Sequence, residues 1–157
     1  MCQELYYASF LAFTNGGRKV TVPEVAAIEC RAVMLNSAKL VAFAPTTDFD
    51  KARSFYEGVL GLKFVTLDHF ALVMEANGTP IRIARVPKFK PAGFTILGWP
   101  VDQIDETVSA LAKRGVTFER FAGMSQDQLG IWTAPGGAKV AWFKDPDGNI
   151  LSVSQHV

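Results

Sequence analysis

Laid on itself with a shift of 54 residues, the chain repeats one punctuation pattern, and no other feature constrains its fold as tightly. One copy is VAFAPTTDFDKARSFYEGVLGLKFV (residues 41–65); the other is TILGWPVDQIDETVSALAKRGVTFE (residues 95–119). In each, an apolar stretch leads to an Asp, and a Gly follows thirteen residues later, Asp48 to Gly61 and Asp102 to Gly115. An alternating apolar stretch, LKFV or VTFE, comes next. Asp48 and Asp102 suit helix N-caps, because a short carboxylate accepts the unpaired N–H groups of a first turn. Gly61 and Gly115 suit the left-handed residue that closes a helix. Between these limits Ala52, Phe55, Tyr56, Val59 and Leu60 form an apolar stripe at helical spacing, as do Ile104, Val108, Leu111 and Ala112.

The remainder of each copy reads as β structure. Phe70–Glu75 and Ile81–Val86 flank Asn77-Gly78, a strong two-residue hairpin signal. Lys139–Lys144 and Ile150–Ser154 flank Asp145-Pro146-Asp147-Gly148, which suits a type I turn closed by a Gly bulge. Gly130–Thr133 is a further strand candidate. Each copy is therefore strand, helix, three strands, and the predicted class is α+β: two βαβββ modules forming a curved, mostly antiparallel sheet. Module one spans about 39–87 and module two about 93–155, joined by the proline-containing link 86–93, within one domain over 37–157.

Residues 1–36 lie outside the repeat. They are read as an N-terminal extension, with a short helix around Glu4–Phe13 and a strand around Arg18–Val22, or as an appendage the fold does not need. Met34 just ahead of the first strand offers an alternative start. The formal charge is +1 and no basic run stands out, which argues against a nucleic-acid partner. No long apolar stretch suits a membrane helix. Cys2 and Cys30 make neither a metal-ligand spacing nor a disulfide framework, and the N-terminus lacks a positively charged secretory start. A cytoplasmic location is the expectation.

The phrase WFKDPDGNIL (Trp142–Leu151), with TTDFDKARSFYEGVLGL (Thr46–Leu62), resembles the glyoxalase/bleomycin-resistance/extradiol dioxygenase superfamily, also known as vicinal oxygen chelate proteins. The resemblance covers residues 39–155. It implies the paired βαβββ fold and, for chains of this length, homodimers. It does not select a chemistry, since the superfamily spans lyases, isomerases, epimerases, dioxygenases, thiol transferases and drug-binding proteins.

The resemblance also implies where a metal would be held: on the first and last strand of each module, commonly by His and Glu. Counting seven residues back from each Asp gives Val41 and Thr95, and four on from each turn Gly gives Arg82 and Ser152. None is an ordinary ligand for a divalent cation, which needs carboxylate, imidazole or thiolate donors. Slipping by one residue reaches only apolar side chains, and His69 and His156 match none of these positions. No metal and no cofactor are therefore expected.

Strand periodicity from these positions predicts a cavity walled by Val41, Phe43, Leu97, Trp99 and Trp142, with Thr95, Ser152 and Arg82 as polar points. Trp142 shares the face of Ser152 if a three-residue loop pairs Asp145 with Asn149; a two- or four-residue loop turns it to the helix side. Flat aromatics suit a planar ligand, and Arg82 suits a carboxylate or phosphate. Set against this, Trp99 and Trp142 also suit a core or dimer interface, Arg82 a salt bridge to a carboxylate such as Glu75, and Trp132 the rim of the site or the layer beneath it. Asp145 and Asp147 are read as turn residues. The leading functional reading is metal-independent binding of a small, partly aromatic molecule, like the antibiotic-sequestering members. The alternatives are a glyoxalase-like lyase, isomerase or dioxygenase with an unorthodox site, and an interaction subunit without ligand.

Overall fold

The structure, a computed structural model, describes residues 35–157. The readings placed on residues 1–34, including the helix, the first strand and the alternative start, lie outside the described residues.

Among the described residues a 3-10 helix (Leu35–Ser37) comes first, and eight strands and two further helices follow in the predicted order. The first module holds β1 (Ala42–Thr46), α1 (Phe49–Arg53, continuing as a π-helix over Ser54–Val59), β2 (Lys63–Leu67), β3 (Ala71–Ala76) and β4 (Thr79–Arg85). The second holds β5 (Thr95–Pro100), α2 (Ile104–Lys113), β6 (Trp132–Thr133), β7 (Lys139–Lys144) and β8 (Ile150–Gln155). Each module forms a four-stranded mixed sheet, in the orders β1-β4-β3-β2 and β5-β8-β7-β6. The hairpins are antiparallel, while β1 and β5 pair parallel with β4 and β8, a connection that the intervening helix makes possible. The two sheets meet where β1 lies against β5. Among the described residues no helix is long and apolar enough to cross a membrane.

Both helices cover the same side of their own sheets, and one apolar core runs through both modules. Ala52 and Tyr56 of α1 join Leu72, Met74, Ile81 and Ile83, while Ile104 and Val108 of α2 join Ala141, Phe143, Leu151 and Val153. Phe55 reaches across to Phe143, their ring centroids 6.5 Å apart. The other side of each sheet carries no helix and is here called the open face.

The helices start and end differently from one another. Asp48 caps α1 as expected, accepting from the backbone N–H groups of Asp50 and Lys51 at 3.0 and 3.1 Å, and the bond from Lys51 is the main reason its carboxyl sits below the usual value. Asp102 does not cap α2. The helix begins one residue later, with Gln103 at the cap, and the Ile104 N–H donates to Gln155 Oε1 at 3.0 Å. Gly61 and Gly115 both take the left-handed closing conformation. Behind Gly115 the closure is ordinary, with Val116 N–H donating to Leu111 and Gly115 N–H to Ala112. Behind Gly61 the bonds widen: Leu60 donates to Phe55 and Leu62 to Tyr56, which absorbs the one extra residue as a π turn. Ala112, expected in the apolar stripe, is exposed.

The turn between β7 and β8 ties the modules together. Its three-residue geometry is confirmed by the Asp145 N–H donating to the Asn149 carbonyl, with Gly148 at φ +86°. Buried Asp145 accepts from the backbone N–H groups of Asp147 and Asn149, from Asn149 Nδ2 at 2.7 Å, and from the Tyr56 hydroxyl at 2.8 Å. Asp147 accepts from the Thr46 and Thr47 hydroxyls, each at 2.6 Å, and from the Thr47 N–H. Asn149 Nδ2 also donates to the Pro45 carbonyl at 2.9 Å. One turn of the second module therefore grips the β1–α1 junction and the helix of the first. Burial, reinforced by the negative charge of Asp145, raises the Tyr56 phenol far above its ordinary value. Burial also acts to raise the Asp147 carboxyl, but the hydrogen bonds from Thr46 and Thr47 outweigh it and hold the group low.

Two outcomes follow for stability. Tyr56→Phe removes a buried donor to a carboxylate and should destabilise the fold by about 2 kcal/mol, read as a lower urea midpoint at unchanged slope. Because the folded-state pKa of Asp147 lies below its ordinary 3.8, its stabilisation is complete above about pH 4 and is lost as pH falls through the lowered value. Asp147→Asn should thus be less stable than the parent at pH 7, with the gap closing below about pH 4 in urea titrations at each pH.

Candidate functional site

The register of the strands sorts the eight predicted site residues into three groups. In the first sheet Phe43 pairs with Arg82, and Arg82 with Val73, so these three share the open face. Phe43 is 61% exposed there, and Val41, just ahead of β1, is 40% exposed. Arg82 is held by Asp68, Nη2 to Oδ2 at 2.7 Å, rather than by Glu75, which pairs with Lys63 instead. The Asp68 carboxyl lies below its usual range chiefly because of the Arg82 hydrogen bond, with the N–H groups of Phe70 and Ala71 adding to it.

Leu97 and Trp99 form the second group, and they point the other way from the prediction. A β-bulge between Thr95 and Leu97 inserts Ile96 without a partner, so Leu97 pairs with Leu151 and Trp99 with Val153. Both residues therefore face the helices: Leu97 belongs to the core and Trp99 packs against it. The alternation counted from Thr95 fails at this one inserted residue, because a slip of one turns every following side chain over.

Thr95, Trp142 and Ser152 form the third group, on the open face of the second sheet. Trp142 lies opposite Ser152, as the three-residue turn requires, and Ser152 in turn lies opposite Gly98. A methyl group built on Gly98 would stand 3.0 Å from Ser152 Oγ and 3.8 Å from Thr95 Cγ2, which places these side chains together over the bare glycine.

Two further aromatics complete this face. Trp132 of β6 lies 6.2 Å from Trp142 between ring centroids, tilted by 37°, and Phe121 meets Trp142 edge-on at 5.5 Å. Trp132, for which the sequence offers either the rim of the site or the layer beneath it, stands beside Trp142, and Phe121 is not among the predicted site residues. The loop that carries it is pinned by its own polar groups. Gln126 accepts from the Phe121 N–H and donates to the carbonyls of Glu119 and Gly130, while Arg120 donates to those of Asp127 and Gln128. Asp127 also accepts from the N–H groups of Leu129 and Ile131. The density of Gln, Asp and Arg in this segment was the available signal that the loop is ordered and so able to present an aromatic ring.

The four positions at which the resemblance would hold a metal carry an alkyl group, two hydroxyls and a guanidinium already paired to a carboxylate, a donor set that does not fit a divalent cation. Among the described residues no three of His, Cys, Asp and Glu gather in a metal-binding group. Two grooves, of about 410 and 420 Å³, lie elsewhere, one along α1 beside Pro146 and one along α2 beside Leu129, and neither is lined by any of the eight residues.

Comparison with known proteins agrees with this architecture. A search of curated protein sequences returns no match. Among solved structures, a member of the glyoxalase/bleomycin resistance protein/dioxygenase superfamily from Sphaerobacter thermophilus is similar at a TM-score of 0.62 and 26% identity, over 78% of this chain and 100% of that one. A glyoxalase family protein from Bacillus anthracis gives 0.60 at 17% identity over 76% and 94%. A lactoylglutathione lyase from Agrobacterium tumefaciens gives 0.58 at 18% identity over 76% and 93%. Likeness at such identities speaks for fold and leaves activity open. The sequence profile of the Glyoxalase/Bleomycin resistance protein/Dioxygenase superfamily matches residues 39–153, and with the paired βαβββ modules, the turn and the strand order all in place, the chain belongs to that superfamily.

Proposed function

We propose that the chain binds a small, partly aromatic molecule on the open face of its second sheet, without a metal, as the sequestering members of the superfamily do. The observation that carries this reading is the cluster of Trp142, Trp132 and Phe121 on a face that no helix covers. All three rings remain partly exposed, whereas a ring serving the core would be sealed like Tyr56 or Phe143. Flat aromatic surfaces beside a few hydroxyls are what a site for a planar ligand requires. Arg82 is engaged by Asp68 on the other sheet, which leaves the aromatic face as the better platform.

Titration with a panel of planar ligands should quench tryptophan fluorescence, and Trp142→Ala should weaken binding by roughly tenfold or more, from about 1.5–3 kcal/mol of lost burial and stacking. Absence of quenching by every member of the panel would sink the reading. Elemental analysis of purified protein should find no stoichiometric zinc, nickel, manganese or iron; one equivalent of any of them would overturn the metal-independent part of the proposal.

A further inference from the structure

Ser152 is the most buried polar side chain of the open face, at 7% exposure, and its hydroxyl, which no protein group bonds among the described residues, is reached by solvent. A ligand that covers it must therefore supply a hydrogen bond, because taking a hydroxyl out of water without a replacement bond is costly. The nearby Thr95 hydroxyl is likewise without a partner among the described residues. Ser152 Oγ points toward Gly98, whose missing side chain leaves the hydroxyl open: a Cβ there would approach it to 3.0 Å, tight enough that the hydroxyl would have to give way. Gly98 itself is exposed and needs no left-handed conformation, so its backbone geometry does not require glycine. The small residue is explained by the space above it.

We infer that Gly98, Ser152 and Thr95 form a polar niche that takes an oxygen substituent, a hydroxyl or a carbonyl, of an uncharged aromatic ligand whose ring lies on Trp142. The inference rests on the aromatic platform proposed above and names the chemistry it selects. Trp142 is the cross-strand neighbour of Ser152, so a ring on the indole brings its edge over the niche. A hydroxyl can donate or accept, so either kind of oxygen can take over the hydrogen bond that Ser152 otherwise gives to solvent. Neither polar point carries charge, and the Lys144 ammonium in the neighbouring row of that face is already paired with Glu119, so a carboxylate placed there would lack a free counter-ion. At the position where the resemblance puts a last-strand metal ligand, the ligand is held directly by a side chain.

The experiment uses the indole N–H signals of the protein in ¹⁵N-correlated NMR, titrated with 2-naphthol, naphthalene and 2-naphthoate. There are three tryptophans, and Trp99, packed against the core, serves as the internal reference for Trp132 and Trp142. Expected are shifts of Trp132 and Trp142 with 2-naphthol and naphthalene, with 2-naphthol bound roughly tenfold more tightly, the worth of one hydrogen bond. 2-Naphthoate should bind more weakly than 2-naphthol. Ser152→Ala should abolish the preference for 2-naphthol while leaving naphthalene binding intact, and Gly98→Ala, which fills the niche, should also abolish it. Equal binding of 2-naphthol and naphthalene, or a preference that survives both substitutions, overturns the niche and leaves the platform standing. Tighter binding of 2-naphthoate overturns the uncharged ligand. No movement of Trp132 or Trp142 with any of the three overturns the platform and the niche together.

Discussion

The second-module turn Asp145–Asn149 is the point on which the arrangement of the two modules depends. A duplicated βαβββ chain must hold its halves in one relation, and apolar packing alone is poorly directional. Here two carboxylates and an amide supply direction: Asn149 bonds Pro45 of β1, Asp147 bonds Thr46 and Thr47 just ahead of α1, and Asp145 bonds Tyr56 on the buried face of that helix. Tyr56 is central because it belongs to both systems, its ring fully buried in the core and its hydroxyl in the polar clasp. A shift of the modules would strand these groups away from water, so the clasp enforces the alignment more sharply than the contacts themselves add stability.

Much of this was legible in the chain. The punctuation of the repeat located both helices, and Asp145-Pro146-Asp147-Gly148 suited the three-residue loop on which the pairing of Trp142 with Ser152 depends. Turn chemistry is local, and local chemistry can be read from a few residues. What escaped was set by neighbours distant in sequence. The bulge falls on Ile96, an ordinary strand residue two places before Gly98, and it turned Leu97 and Trp99 inward. Gln155 replaced Asp102 at the start of α2 from 51 residues away. Arg82 chose Asp68 over Glu75 because the β2–β3 turn already holds that carboxylate through two backbone N–H groups. Turn residues Asp145 and Asp147 were recognised as such, but their grip on the first module was not visible.

The two open faces now differ in character. The first presents an exposed phenylalanine beside a closed ion pair, the second an aromatic cluster beside solvent-facing hydroxyls. A symmetric fold thus offers unlike surfaces, and the functional asymmetry arises from side chains while the backbone plan stays common to both halves.

The π turn at the end of α1 carries a lesson about duplication. Asp and Gly stand at equal separation in both copies, yet the first helix starts at the residue after its Asp and widens before its Gly, while the second starts one residue later and closes normally. Matching intervals conceal two compensating departures. The halves have drifted from interchangeable parts into fitted ones, and a helix exchanged between them by ordinal position would arrive one residue out of phase, with a different side chain at the depth where Tyr56 meets Asp145.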